Sequence, residues 1–350
     1  MITTPAYAAH SNDTPLRPWS FERRDPGPHD VEIDIDYCGI CHSDIHTVRG
    51  EWGAEKYPFV PGHEIVGRVA SVGAKVTKFR KGEIVGVGCM VNSCQRCRSC
   101  SQGEEQFCEN GFTGTYSGIE GETGRQTYGG YSKKIVVDDK FVLRIPEKLD
   151  PARAAPLLCA GITTYSPLRH WKVGKGSTVG VVGLGGLGHM GIKIARALGA
   201  KVVLITTTPA KSASALKLGA HEVCVSTDAA QMARYKESLD LVLDTAAGSH
   251  DLDALLDLLR RDGNLVLVGV PAHPHPSPDV GRLVRKRRSV AGSITGGLRE
   301  TQEMLDFCAE HGLGADIEII PIQAVNEAWE RMLKGDIRYR FVIDLKSLTA

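Results

Sequence analysis

A chain of 350 residues is longer than one hydrophobic core usually organises, so two domains of ordinary size are expected. With 42% hydrophobic residues, 24% charged residues and a formal net charge of +1, the composition is globular and without electrostatic bias, which gives nucleic acid no footprint as a partner. No apolar run approaches the roughly 20 residues that span a bilayer, and MITTPAYAAHSNDTPLRPW lacks the basic and apolar regions of an export signal, so a cytoplasmic location with no membrane partner is expected.

In chain order, the first third shows two-residue alternation at Val31, Ile33, Ile35 and Tyr37, and glycines separate further β-rich runs, GHEIVGRVASVG and GEIVGVG. From about Ser177 the rhythm becomes strand, glycine turn, helix: STVGVVG, LGHMGIKIARALGA, KVVLIT and AKSASALKLGA, then DLVLDT and NLVLVGV. That alternation predicts a doubly wound parallel sheet with helices on both faces. After Gly297, two amphipathic helix patterns, TQEMLDFCAEHG and QAVNEAWERMLKG, precede a last strand-like segment, IRYRFVIDL. The division expected is a β-rich first domain over 1–155 that takes back 298–350, with an α/β domain over 156–297. Two stretches are read as plain surface. HPHPSP, from His273 to Pro278, has prolines at alternate positions and reads as an extended loop; the basic run Arg282 to Arg288 reads as a solvated face.

Ten cysteines without an export signal stay available for metals. Cys94, Cys97, Cys100 and Cys108 follow C-x2-C-x2-C-x7-C, a spacing that turns four thiolates toward one point. Zinc accepts closed tetrahedral coordination by four sulfurs, and such a site fixes a loop and leaves no position for substrate. An iron–sulfur cluster is the competing occupant. A second set is dispersed: Cys41 in GICHSD, His63 and Glu64 in PGHE, and Cys159 in LLCAG. Two thiolates and one imidazole leave a fourth zinc position open, and alcohol dehydrogenase is the standard illustration of that ligand set. Such a metal acts as a Lewis acid on a carbonyl or alcohol oxygen.

Gly183, Gly185 and Gly188 form G-x-G-x-x-G, with Leu184, Gly186 and Leu187 between them, after a strand-like run and before a helical one. The context suits a dinucleotide pyrophosphate at a helix N-terminus. Where an NAD site usually carries a carboxylate for the ribose hydroxyl, this chain has Thr206, Thr207 and Thr208, with Lys211 beyond. Hydroxyls and a cation there favour a 2′-phosphate and therefore NADP(H), with Thr207 and Lys211 as principal contacts.

Through CGICHSDIH, PGHEIVGRV, the four cysteines, CAGITTY, GLGGLG, DTAAGSHDLDALLDLLRRDGNLVLVG and RYRFVID, the chain resembles, over essentially its full length, the zinc-dependent medium-chain dehydrogenase/reductase family and its cinnamyl alcohol dehydrogenase-like branch. The resemblance implies a GroES-like catalytic domain plus a Rossmann domain, and two zinc ions per subunit. Catalytic zinc is implied at Cys41, His63 and Cys159, with Glu64 approaching the metal during ligand exchange, and structural zinc at the four clustered cysteines. It assigns Asp44 to orienting the zinc histidine and Ser43 and His46 to a proton relay running through a cofactor hydroxyl. It places Thr163 against the nicotinamide and Arg340 near the pyrophosphate, and makes Trp52, Met90 and Ile294 pocket walls. A homodimer is implied as well.

The expected reaction is interconversion of small aldehydes, aromatic or medium-chain aliphatic, and primary alcohols by hydride transfer with NADP(H), reduction being preferred. Two rivals are an NAD-dependent, sugar-alcohol or formaldehyde-type member of the same superfamily, and a non-catalytic zinc protein that only binds NADPH. The complete set Cys41, His63, Cys159, Ser43 and His46 argues against the second.

Overall fold

The computed structural model describes residues 1–271 and 273–349. The chain forms two compact units, Met1–Ile162 with Gly296–Ala350, and Thr163–Thr295. No helix among the described residues is long and apolar enough to cross a membrane.

The first unit is built on a seven-stranded sheet. Along it run Ile317–Pro321, Arg340–Asp344, Asp30–Gly39, Ile65–Val72, Ile84–Val87 and Leu143–Arg144, with Lys134–Asp138 also paired to Asp30–Gly39. The central strand shows why the alternation reads as β: Val31, Ile33 and Ile35 are buried while Asp34 between them is exposed. Each such buried aliphatic side chain contributes about 1.5–3 kcal/mol. The C-terminal strand Arg340–Asp344 pairs antiparallel with that central strand, Val342 opposite Gly39 and Ile343 opposite Cys38. This pairing explains the return of the chain end to the first unit and delivers Arg340 beside the residues that follow Gly39.

Two segments assigned from sequence to the α/β domain belong to the first unit. Pro156–Ile162 packs there, with Leu157 and Leu158 fully buried, because Cys159 must reach Cys41. Gly296 and Gly297 join it too: a Cβ on Gly297 would stand 1.8 Å from the Gly103 carbonyl, and the next amide, of Leu298, donates to Glu105 Oε2 at 3.0 Å.

The second unit is a six-stranded parallel sheet in the order Glu222–Val225, Lys201–Thr206, Thr178–Val182, Leu239–Asp244, Leu259–Leu267, Ser289–Gly292. This is the 3-2-1-4-5-6 order of a doubly wound dinucleotide-binding sheet, which reverses between its first and fourth strands. Val203, Ile205, Val242 and Leu265 lie at 0–1% exposure in its core, as expected where both faces are covered. The basic run is not a free cationic stripe: Arg282 pairs with Asp257, Lys286 with Glu237 at 2.8 Å and Arg287 with Asp262.

Candidate active site

Cys41, His63, Glu64 and Cys159 are all buried, and a ligand atom from each lies within 4.8 Å of the others. Cys41 precedes the helix His42–Val48, His63 and Glu64 sit just before the strand Ile65–Val72, and Cys159 follows the turn Ala155–Leu158. The sulfurs of Cys41 and Cys159 are 3.9 Å apart. Two thiolates on a tetrahedral zinc with bonds of about 2.3 Å stand roughly 3.8 Å apart, so the pair fits that metal. The neighbouring Cys159 holds the Cys41 thiol well below its ordinary range, which suits a thiolate ligand.

Asp44 organises this cluster. It is fully buried and its two oxygens accept from the Cys41 amide (2.9 Å), the Gly62 amide (3.0 Å), the Tyr131 hydroxyl (3.2 Å) and His63 Nδ1 (3.2 Å). With Nδ1–H engaged, His63 presents Nε2 as its lone-pair nitrogen. Glu64 is 0% exposed; its Oε1 pairs with Arg340, and its Oε2 has no hydrogen-bond partner. Burial pushes the Glu64 carboxyl up to about 8, against the Arg340 charge that lowers it. An unpartnered buried carboxyl oxygen beside two sulfurs and an imidazole is a donor set that suits a cation.

Ser43 and His46 share the short helix that starts after Cys41. Ser43 Oγ lies 3.5 Å from Cys41 Sγ, and His46 Nδ1 lies 2.5 Å from Glu51 Oε2 with its ring against Trp52 (centroids 4.9 Å). Neither Glu51 nor Tyr131 is marked by the sequence. Glu51 is five residues beyond His46 in an irregular turn, and Tyr131 is 87 residues from Asp44, so no spacing rule points to either.

The second cluster is Cys94, Cys97, Cys100 and Cys108, again within 4.8 Å, with the sulfurs of Cys94 and Cys100 3.9 Å apart. Backbone amides face them: Cys97 N–H to Cys94 (3.4 Å), Cys94 N–H to Cys108 (3.5 Å) and Glu109 N–H to Cys97 (3.5 Å). The amide of Arg96 does most to bring the Cys94 thiol down to about 6. Four sulfurs with amide donors suit structural zinc, whose four positions they would fill.

In the second unit the glycine motif joins the strand Thr178–Val182 to the helix Gly186–Ala197. Gly183 has φ +85°, and a Cβ at Gly188 would meet the Gly183 carbonyl oxygen at 2.1 Å. The helix has no side-chain cap and no acidic residue in its first turn, so its N–H groups are left for an anion. Leu184 is buried, Gly186 and Leu187 half-buried. Thr206 ends the second strand and its hydroxyl accepts from the Thr208 amide at 3.1 Å, while Thr207, Thr208 and Lys211 are exposed beyond it. Thr163 is buried near the start of the helix Ala160–His170.

Residues 27–147 match the model of the alcohol dehydrogenase GroES-like domain, and residues 186–310 that of the zinc-binding dehydrogenase. The chain belongs to the zinc-binding alcohol dehydrogenase family. It is 56% identical to the aldehyde reductase YahK of Escherichia coli, covering 98% of this chain and 99% of that one. It is 52% identical to an NADP-dependent alcohol dehydrogenase C of Mycobacterium bovis, over 99% of this chain and 100% of the relative. A cinnamyl alcohol dehydrogenase structure from Sorghum bicolor superposes with a TM-score of 0.96 at 45% identity and 99% coverage of both chains. As a member of this zinc-binding family, the chain is an oxidoreductase acting on small molecules.

Proposed function

We propose that this chain reduces apolar aldehydes, aromatic or medium-chain aliphatic, to primary alcohols with NADPH, using Ser43 and His46 to deliver the proton. The class is that of its relatives: an NADP(H)-linked alcohol dehydrogenase or aldehyde reductase with zinc. The observation that carries the residue-level reading is the open set of two thiolates and one imidazole with a serine hydroxyl 3.5 Å from one of the sulfurs.

Cys41, His63 and Cys159 would hold the catalytic metal, and Cys94, Cys97, Cys100 and Cys108 the structural one. Zinc held there supplies Lewis acidity toward the carbonyl oxygen, and the reduced coenzyme supplies the hydride. Asp44 keeps His63 in the tautomer that can bind metal. Ser43 gives its proton to the developing alcohol oxygen, and His46, whose type of side chain exchanges protons near neutrality, restores it from solvent. Glu51 positions the His46 ring. Glu64, held by Arg340, would offer that metal an additional oxygen ligand. Thr163 is assigned to the nicotinamide and Arg340 to the pyrophosphate; the Arg340 Nε has no hydrogen-bond partner, which supports a further polar contact. Thr206, Thr207, Thr208 and Lys211 line the 2′-phosphate position, and the absence of a carboxylate in that group disfavours the NAD reading. Trp52, Met90 and Ile294 are assigned as apolar walls. A cytoplasmic homodimer is proposed; none of the ten cysteines is in a disulfide, which is compatible with a reducing compartment.

Consumption of NADPH and NADH with benzaldehyde and cinnamaldehyde, before and after zinc removal, tests the reading. Zinc-dependent turnover strongly favouring NADPH is expected. Absence of turnover across an aldehyde panel, despite bound zinc and NADPH, would establish the non-catalytic alternative; equal efficiency of oxidation and reduction at neutral pH would remove the preference for reduction.

A further inference from the structure

The second unit contains a third group of ligand-type side chains that neither cysteine cluster uses. Asp244 ends the strand Leu239–Asp244, His250 lies on the loop after it, and His275 comes from the histidine- and proline-rich stretch read from sequence as plain loop. One ligand atom from each lies within 4.8 Å of the other two. The acidic partner is 31 residues away in sequence, which is why adjacency along the chain does not reveal it.

The carboxylate of Asp244 is 2% exposed. Its Oδ1 accepts from the Ala246 amide at 3.1 Å, which fixes the group, whereas Oδ2 has no aligned hydrogen bond. His250 Nε2 stands 3.0 Å from that oxygen and is likewise buried without an aligned partner. The other nitrogen of His250 lies 2.8 Å from the Gly248 carbonyl. A carbonyl can only accept, so Nδ1 carries the proton there, and in the neutral ring Nε2 presents a lone pair. Two lone pairs facing each other at this distance in a buried position repel unless a cation sits between or beside them. A proton on Nε2 meets that need as an imidazolium–carboxylate ion pair, which Asp244 favours by raising the His250 pKa, and a metal ion that displaces the proton meets it equally. Nδ1–H on a backbone carbonyl with Nε2 free is the arrangement of a metal-binding histidine.

His275 completes the group. Its Nδ1 either accepts from the His250 amide at 3.2 Å or, in the other tautomer, donates to the His250 carbonyl oxygen at 3.3 Å, and the second leaves Nε2 as the metal-binding nitrogen. Ser249 Oγ donates to the Pro274 carbonyl at 3.0 Å, so the two loops are tied together at this point. The imidazoles meet nearly edge to face, at 81° with centroids 4.7 Å apart. The rings therefore approach one region from two directions instead of stacking.

We propose that Asp244, His250 and His275 form a third metal site, selective for a divalent first-row transition cation such as Zn2+ or Co2+. Two imidazoles and one carboxylate match that class: calcium and magnesium want oxygen donors throughout, and monovalent copper wants sulfur. Three protein ligands leave a coordination position for water.

Protein carrying two equivalents of zinc in its cysteine clusters is titrated with Co2+, read by visible absorption and by elemental analysis after desalting. A third equivalent is expected, with ligand-field bands and without the intense near-ultraviolet bands of cobalt–thiolate bonds. The variant His250→Gln/His275→Gln is expected to keep its two zinc ions and its NADPH binding, which reports folding, while its Co2+ affinity falls at least tenfold. Metal content that stays at two in the wild type overturns the proposal, as does a third equivalent retained by the double variant. A His250 titration by NMR that Co2+ leaves unchanged assigns the contact to a simple ion pair and overturns it equally.

Discussion

Asp44 accepts four hydrogen bonds on two oxygens, and its donors come from three separate stretches of chain: Cys41, the Gly62–His63 turn and Tyr131. Replacing the charge by an amide in Asp44→Asn keeps the shape but presents N–H groups where donors already point, so one of these bonds must become a donor–donor clash. Outer partners of a zinc histidine are worth roughly 10- to 100-fold in metal affinity. Asp44→Asn is therefore expected to lose catalytic zinc to a chelator at 10- to 100-fold lower concentration while the four-cysteine ion stays in place. Equal retention of both ions would mean that Asp44 only packs the interior. At this scale the ligand residues are legible in sequence because each sits in a short motif, as in GICHSD or PGHE. The residues that aim them are not. Tyr131 reaches Asp44 only through the fold, and Glu51 reaches His46 through a turn that no periodicity marks.

The strand, glycine turn and helix that bind the coenzyme are an element-scale device, because each part is useless without the others. Gly188→Ala places a methyl group 2.1 Å from the Gly183 carbonyl, backbone that cannot swing aside. Overpacking of this kind costs about 1–3 kcal/mol, and relief requires the turn to open. NADPH affinity is expected to fall at least roughly tenfold, with zinc content unchanged; unaltered NADPH titration would show that the turn does not hold the pyrophosphate. Past the second strand, a charge-assisted hydrogen bond to a 2′-phosphate is worth about 1.5–3 kcal/mol, or roughly 10- to 150-fold. Thr207→Asp/Lys211→Ala adds repulsion and removes the cation, so KM for NADPH should rise by at least that factor while KM for NADH changes little. A constant ratio of the two would place the phosphate elsewhere. The long elements here were plain in sequence, since STVGVVG and the helix after it carry clear periods. The brief strands Glu222–Val225 and Ser289–Gly292 escaped, because four residues with only two or three apolar side chains give no period to count.

At the scale of the whole molecule, the parallel sheet ends in the strand Ser289–Gly292, and an unpaired edge of that kind invites a second strand. Val280 and Val284, close to it in sequence, are 65% and 73% exposed, more apolar surface than water favours. Joining two such edges about a twofold axis would extend the sheet and cover these residues, which is the physical case for the proposed homodimer. The ladder indicates which amides would form the joint. Ser293 donates to the Leu267 carbonyl at 3.0 Å, so by two-residue alternation the N–H groups of Ser289 and Ala291 face the neighbouring strand, and those of Val290 and Gly292 face outward. Val290→Pro removes an outward donor and leaves the inward ladder intact. Light scattering should give about 75.6 kDa for the wild type, twice the 37.8 kDa chain, and a mass near 37.8 kDa for the variant, with both zinc ions and NADPH binding retained. A wild-type monomer would remove the dimer. A Val290→Pro variant that remains dimeric would move the interface off this edge, and the exposed valines would then need another explanation.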